Sequence, residues 1–169
     1  MNPLRFAILT VSDRSARGER PDTSGPTLEK ALLEQDALVV RKEIVPDEKD
    51  QIQRLLISWS DTGEIDVLLT TGGTGFSPRD VTPEATLAAA ERLAPGLAEA
   101  MRLESLKVTP HAMLSRAVAA IRKKTLIVNL PGSPKGALEN LYTILPVLPH
   151  AVELLREDQA SESGHSISH

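Results

Sequence analysis

Two aspartates, Asp47 and Asp80, and the glycine-rich run Thr71-Gly72-Gly73-Thr74-Gly75 between them have the types and spacing to handle phosphate groups. Glycines carry no Cβ, so the run can bring its backbone amides close to an anion, with the hydroxyls of Thr71 and Thr74 on either side. Asp80 follows five residues later, and this placement is informative. A bare carboxylate about 5 Å from a bound phosphate is repelled by about 3 kcal/mol at an effective dielectric near 20. Either the adjacent Arg79 or a magnesium ion shared between carboxylate and phosphate must offset that. Asp47 can be read in two ways, as the cap of the helix that follows it or as a second ligand to the same cation. The run is neither common nucleotide fingerprint: it lacks the lysine of a Walker loop, and Pro78 stands where a dinucleotide motif needs its last glycine.

The elements that must position these groups are legible as apolar runs. Leu4 to Val11 and Asp66 to Thr70 read as buried parallel strands, and Thr125 to Leu130 as a third. Ala37 to Val45 reads as another strand, ended by Pro46. Each buried run leads into polar or glycine-rich sequence: Ser12-Asp13-Arg14, the glycine loop, and Pro131-Gly132-Ser133-Pro134. Ligands in open α/β sheets sit outside the carboxyl ends of the strands, so these three segments are expected to share one crevice. Between them, Leu28, Ala31 and Leu32, then Ile52, Leu55, Leu56 and Trp59, carry helical spacing, and Thr82-Pro83 and Ser133-Pro134 look like capped helix starts. The spacing of Leu114, Ala117, Val118 and Ile121 predicts a further helix, with Ser115 and Arg116 on its exposed edge.

Composition sets the bounds. One domain over residues 1–157 accommodates every element, with an irregular polar tail over 158–169 in which His165 and His169 are read as solvated. Aromatic residues make up 2% of the chain, so aliphatic side chains must fill the core. A net charge of -4 argues against a general nucleic-acid binder, and the absence of cysteine excludes disulfides, thiolate metal sites and a cysteine nucleophile. No apolar stretch is long enough to span a membrane and no leader is recognisable, so the expectation is a cytoplasmic protein without membrane or nucleic-acid partners.

Taken together, Thr71-Gly72-Gly73-Thr74-Gly75 and Arg79-Asp80-Val81-Thr82-Pro83-Glu84-Ala85 resemble the signature of the molybdopterin adenylyltransferases of molybdenum cofactor biosynthesis, the Mog type and the G domains of larger plant and animal proteins. Ser12-Asp13-Arg14, Pro46-Asp47-Glu48, Ser105-Leu106 with Met113-Leu114-Ser115-Arg116, and Asn129 to Pro134 resemble that family in the same order, so the likeness runs from about residue 4 to 156. The intact Arg-Asp-Val-Thr-Pro segment favours the Mog type over the related MoaB type.

The resemblance implies a three-layer α/β/α sandwich with a mostly parallel sheet, assembled as a homotrimer. It also implies transfer of AMP from ATP to the terminal phosphate of molybdopterin with magnesium, and a molybdate-inserting enzyme downstream. Residue by residue, it implies Asp47 and Asp80 as the catalytic pair and magnesium ligands. Ser12, Asp13 and residues 71–75 would then cradle the nucleotide, and Ser105, Ser115, Arg116, Pro131, Gly132 and Ser133 would bind the pterin. A carrier that holds molybdopterin without adenylating it is the main competing expectation, and another phosphotransferase using the same crevice is a second.

Overall fold

The computed structural model describes residues 2–157. The expected polar tail, with its two histidines, lies outside them. Six strands form one sheet: β1 (Arg5–Val11), β2 (Leu38–Val45), β3 (Val67–Thr71), β4 (Arg92–Leu93), β5 (Ala119–Arg122) and β6 (Thr125–Leu130), in the order β2-β1-β3-β6-β5-β4. β2, β1, β3 and β6 are parallel, and β5 alone runs against its neighbours. The chain leaves β1 for β2 on one side and returns to β3 on the other, so a topological switch point opens between the carboxyl ends of β1 and β3.

Alternation along β1 divides the core. After the one-turn α1 (Asp13–Ala16), the chain packs α2 (Ser24–Leu33), α5 (Pro95–Leu106), α6 (Pro134–Ile144) and α7 (Leu148–Arg156) on one face, with Phe6 and Ile8. Ala7, Leu9 and Val11 face the other way, toward α3 (Lys49–Asp61) and α4 (Thr82–Ala89). Side chains in a strand point alternately to opposite faces, so a sheet apolar on both must be covered on both. The three-layer α/β/α arrangement with a mostly parallel sheet follows. The stripes expected for two helices are found inside it: Leu28, Ala31 and Leu32 of α2, and Ile52, Leu56 and Trp59 of α3, are buried, while Leu55 of the second stripe is only half-buried.

Three local expectations are overturned. Residues 117–121 do not form a helix: a 3₁₀ turn (Pro110–Leu114) is followed by β5, because Ala119 and Ala120 pair with β6 and the chain reverses at Lys123-Lys124. Thr82 is not a cap, since it stands inside α4 and its hydroxyl donates to the Gly72 carbonyl at 2.9 Å. Asp47 does not cap α3 either: Glu48 takes the cap position, and the Asp47 side chain turns to the loop after β1. Ser133 does cap α6, accepting from the Gly136 amide at 3.1 Å.

At the amino-terminal edge of the sheet, Asp66 is almost fully buried between two guanidiniums. Arg5 reaches it at 2.9 Å and Arg156 at 2.6 Å, which pins α7 to the sheet. Burial pushes the Asp66 carboxyl up, and hydrogen bonds from Arg5 and Arg156 more than offset this, so its pKa lies below the ordinary value. A depressed carboxyl pKa stabilises the fold above the unfolded-state value of about 3.9, and that contribution is lost as pH falls through the folded-state value. Asp66→Asn is therefore expected to lower the melting temperature at pH 7 and to flatten the decline in melting temperature below about pH 4. An acid limb as steep as that of the wild type would show that the clamp does not govern it.

Candidate active site

The carboxyl ends of β1, β3 and β6 bring the three polar segments together. Gly72 adopts φ +103 and Gly73 φ +69, conformations that L side chains rarely take. At Gly72 the space is closed as well, since a Cβ would collide with the Val11 carbonyl oxygen. The second loop lies against the first: a Cβ on Gly132 would stand 3.3 Å from the Gly72 Cα. Hydroxyls hold the two loops in place. Thr71 Oγ1 donates to the Pro131 carbonyl at 2.7 Å, and Ser24 Oγ to the Gly132 carbonyl at 2.6 Å. Thr71 thus commits its hydroxyl to the loop beside it.

Two cavities flank this pair of loops. The more polar one, about 350 Å³, is lined by Ser12, Thr71, Gly72, Gly73, Asp47 and Asp80, with Gly132 and Ser133 on its far side. The more apolar one, about 310 Å³, is lined by Thr74, Gly75, Ser105, Ser115, Pro131 and Ser133. Ser133 belongs to both. The expected residues divide only in part between the two hollows: Ser12, Thr71, Gly72 and Gly73 line the polar one and Ser105, Ser115 and Pro131 the apolar one, but Thr74 and Gly75, expected at the nucleotide, line the apolar hollow, and Gly132, expected at the pterin, lines the polar one. Two further expected residues line neither cavity: Asp13, which lies behind Asp47, and Arg116.

The carboxylates are fixed through backbone amides. Asp13 N donates to Asp47 Oδ2 at 2.8 Å, while Asp47 N donates to Asp13 Oδ1 at 3.0 Å. Ser77 N donates to Asp80 Oδ2 at 3.0 Å. Burial pushes the Asp47 carboxyl above its ordinary pKa; the amide of Asp13 opposes this, and the negative charges of Asp13 and Asp80 add to it. Two half-buried carboxylates facing one hollow, each with one oxygen held by an amide, suit a hard divalent cation, which takes oxygen ligands and lowers the repulsion between them.

Arg79, a candidate to offset phosphate charge, and Arg116, expected at the pterin, are both engaged by the protein itself. Arg79 grips Asp13 with Nε and Nη2, both at 3.0 Å, and its Nη2 also reaches Glu48 at 2.9 Å. This pairing holds the Asp13 carboxyl below its ordinary pKa. Arg116 donates to the Gly75 carbonyl at 2.7 Å, to the Asp80 carbonyl at 2.7 Å and to Glu84 at 2.6 Å. It braces the loop that carries Asp80. Arg79 thus holds the Asp13 side chain, and Arg116 the backbone of Asp80.

A polar chain beneath the loops is the feature that sequence reasoning missed. Asn129, fully buried in β6, donates to Thr70 at 3.0 Å and to Thr86 at 2.9 Å, and accepts from the Val118 amide at 3.2 Å. Thr86 donates to the Thr82 carbonyl, and Thr82 to that of Gly72, so the chain ends at the glycine loop. The signal was an asparagine in an otherwise apolar strand, since buried polar groups are rarely incidental. Asn129→Ala leaves the Thr70 hydroxyl and the Val118 amide without the partner Asn129 provides and removes a donor from Thr86, whose hydroxyl keeps its bond to the Thr82 carbonyl. It is expected to cost about 3 kcal/mol in chemical denaturation, and a loss below about 1 kcal/mol would mean that water replaces the amide.

Fold and site together define an open α/β protein with two touching glycine loops and a pair of carboxylates at its switch point. Residues 7–150 match the family described as "Probable molybdopterin binding domain", and the chain belongs to that family of molybdenum cofactor biosynthesis proteins. The molybdopterin adenylyltransferase of Helicobacter pylori J99 is 43% identical over 157 residues, covering 92% of this chain and 89% of that protein. The Drosophila melanogaster molybdenum cofactor synthesis protein cinnamon is 49% identical over 94% of this chain, which spans only 26% of cinnamon's length. Among solved structures, the molybdopterin biosynthesis enzyme MoaB of Thermus thermophilus superposes with a TM-score of 0.85 at 53% identity, covering 90% of this chain and 96% of that one. Relatives named for MoaB thus stand beside those named as adenylyltransferases, although the Arg-Asp-Val-Thr-Pro segment is intact here.

Proposed function

We propose that the protein is a molybdopterin adenylyltransferase, taking ATP in the polar cavity and the pterin in the adjoining apolar one. The observation that carries this reading is the shared wall: the loops at Gly72 and Gly132 touch, and Ser133 lines both hollows. Phosphates of two substrates, one on each side, would meet across it. An oxygen of the terminal phosphate of molybdopterin attacks the α-phosphorus of ATP, a new phosphorus–oxygen bond forms, the bond between the α-phosphorus and its bridging oxygen breaks, and pyrophosphate leaves. Such a reaction joins two anions, so it needs positioning and charge neutralisation more than a protein nucleophile. Magnesium held by Asp47 and Asp80 would supply part of that neutralisation. The Gly72 amide is taken by the Leu130 carbonyl, so the backbone of Gly73, which lines the same hollow, would serve the phosphates as a fixed dipole.

The same reading makes the chain a cytoplasmic homotrimer that hands its product to a molybdate-inserting enzyme. No helix among the described residues is long and apolar enough to cross a membrane.

Incubation with labelled ATP, molybdopterin and magnesium is the test. Pyrophosphate release that depends on the pterin is expected. Tight pterin binding without release would instead make the protein a carrier, and release without pterin would make it another phosphotransferase.

A further inference from the structure

With Arg79 and Arg116 committed to loop contacts, the polar cavity holds three carboxylates, Asp22, Asp47 and Asp80, among its lining residues. A polyanion entering it meets only one cationic lining side chain among the described residues, Arg20. Arg20 is exposed and, among those residues, engages no carboxylate and donates no hydrogen bond, so its guanidinium is available.

Its loop is nonetheless fixed at both ends. Glu19 N donates to the Arg14 carbonyl at 2.9 Å, and Asp22 accepts from Thr10 Oγ1 at 2.8 Å and from Gly25 N at 3.0 Å. The nearest acidic neighbour in sequence is occupied as well, since Arg17 holds Glu19 through two bonds of 2.9 and 3.1 Å. Each oxygen of Asp22 already has one donor, Glu19 is held by Arg17, and among the described residues Arg20 between them stays unpaired.

We infer that Arg20 contacts the phosphates of the bound nucleotide and supplies the positive charge that Arg79 and Arg116 do not. The inference rests on the proposed nucleotide reading of this cavity. A guanidinium matches a phosphate with two parallel donors, and a planar fork held in a short, tethered loop loses little freedom when it closes on the ligand.

The test is ATP binding with magnesium, measured by titration calorimetry at low and high salt on the wild type, Arg20→Ala and Arg20→Lys. Arg20→Ala is expected to weaken ATP binding by about 10- to 100-fold, to flatten the salt dependence, and to leave molybdopterin affinity and the melting temperature unchanged. Arg20→Lys, which keeps the charge and loses the fork, should fall between. Wild-type-like ATP affinity in Arg20→Ala overturns the inference, and so does a loss matched by a fall in melting temperature with an unchanged salt slope. A wild type that binds no ATP would instead overturn the nucleotide reading itself.

Discussion

Asp80→Asn is expected to retain molybdopterin and lose AMP transfer by about 1,000-fold, measured as pterin-dependent pyrophosphate release at saturating substrates. The substitution preserves shape and keeps an oxygen able to accept from Ser77 N, so the loop around Gly75 and the Arg116 brace have no reason to move. Asp80 is only half-buried, and conservative changes at such positions alter stability by about 0.5 kcal/mol or less. What disappears is a negative charge facing the polar cavity opposite Asp47. Without it a divalent cation loses a ligand, and the two phosphate groups lose part of the neutralisation that lets them approach. Because Asp80 lines the polar cavity and not the apolar one, pterin affinity provides the internal control. Unchanged turnover would remove Asp80 from the chemistry.

The second large effect is on the loop itself. Gly72→Ala is expected to destabilise the protein by more than about 3 kcal/mol, or to prevent folding, since two penalties coincide. An alanine at φ +103 is strained, and its methyl group would meet the Val11 carbonyl at the end of β1. The loop cannot back away, because Gly72 N donates to the Leu130 carbonyl at 3.1 Å and the Gly72 carbonyl accepts from Thr82. Gly96→Ala gives the contrast. Gly96 lies in the first turn of α5 with open space around it and an ordinary φ, so alanine there should be neutral or stabilise by about 0.5–1 kcal/mol. Equal unfolding midpoints for the two variants would contradict the account of the loop.

How far the sequence carried depends on the range of the forces involved. Strands β1, β3 and β6 were legible because burial on both faces demands continuous apolar runs, and Gly72 and Gly73 after β3 because left-handed backbone favours glycine. Pro134 behind Ser133 announced α6 for an equally local reason. β5 was not legible. Its four residues, Ala119 to Arg122, are too short for a period of two to emerge, and they become a strand only because β6 stands beside them. The two-residue β4 is a similar product of pairing.

The site shows the same division. Asp47 and Asp80 were singled out by their position after strands, and they face one cavity. The partners of Arg79 and Arg116 could not be read, since Asp13 is 66 residues from Arg79 and Gly75 is 41 from Arg116. Which carboxylate or carbonyl an arginine finds is settled by tertiary packing. The spacing 47 to 80 likewise says nothing of Asp13, whose reciprocal bonds with Asp47 arise because β1 and β2 are neighbours in register. Arg20, which belongs to no motif in the sequence, acquires meaning once the other arginines are seen to be occupied.

The account depends on two carboxylates sharing one cation beside bound nucleotide. Electron paramagnetic resonance of Mn²⁺ added in place of magnesium, with ATP present, reads that arrangement directly. The wild type should show one tight manganese site that broadens when ATP carries ¹⁷O in its phosphates, and Asp47→Asn and Asp80→Asn should each weaken that site at least about tenfold. Two single variants that bind Mn²⁺ and nucleotide as the wild type does would contradict it.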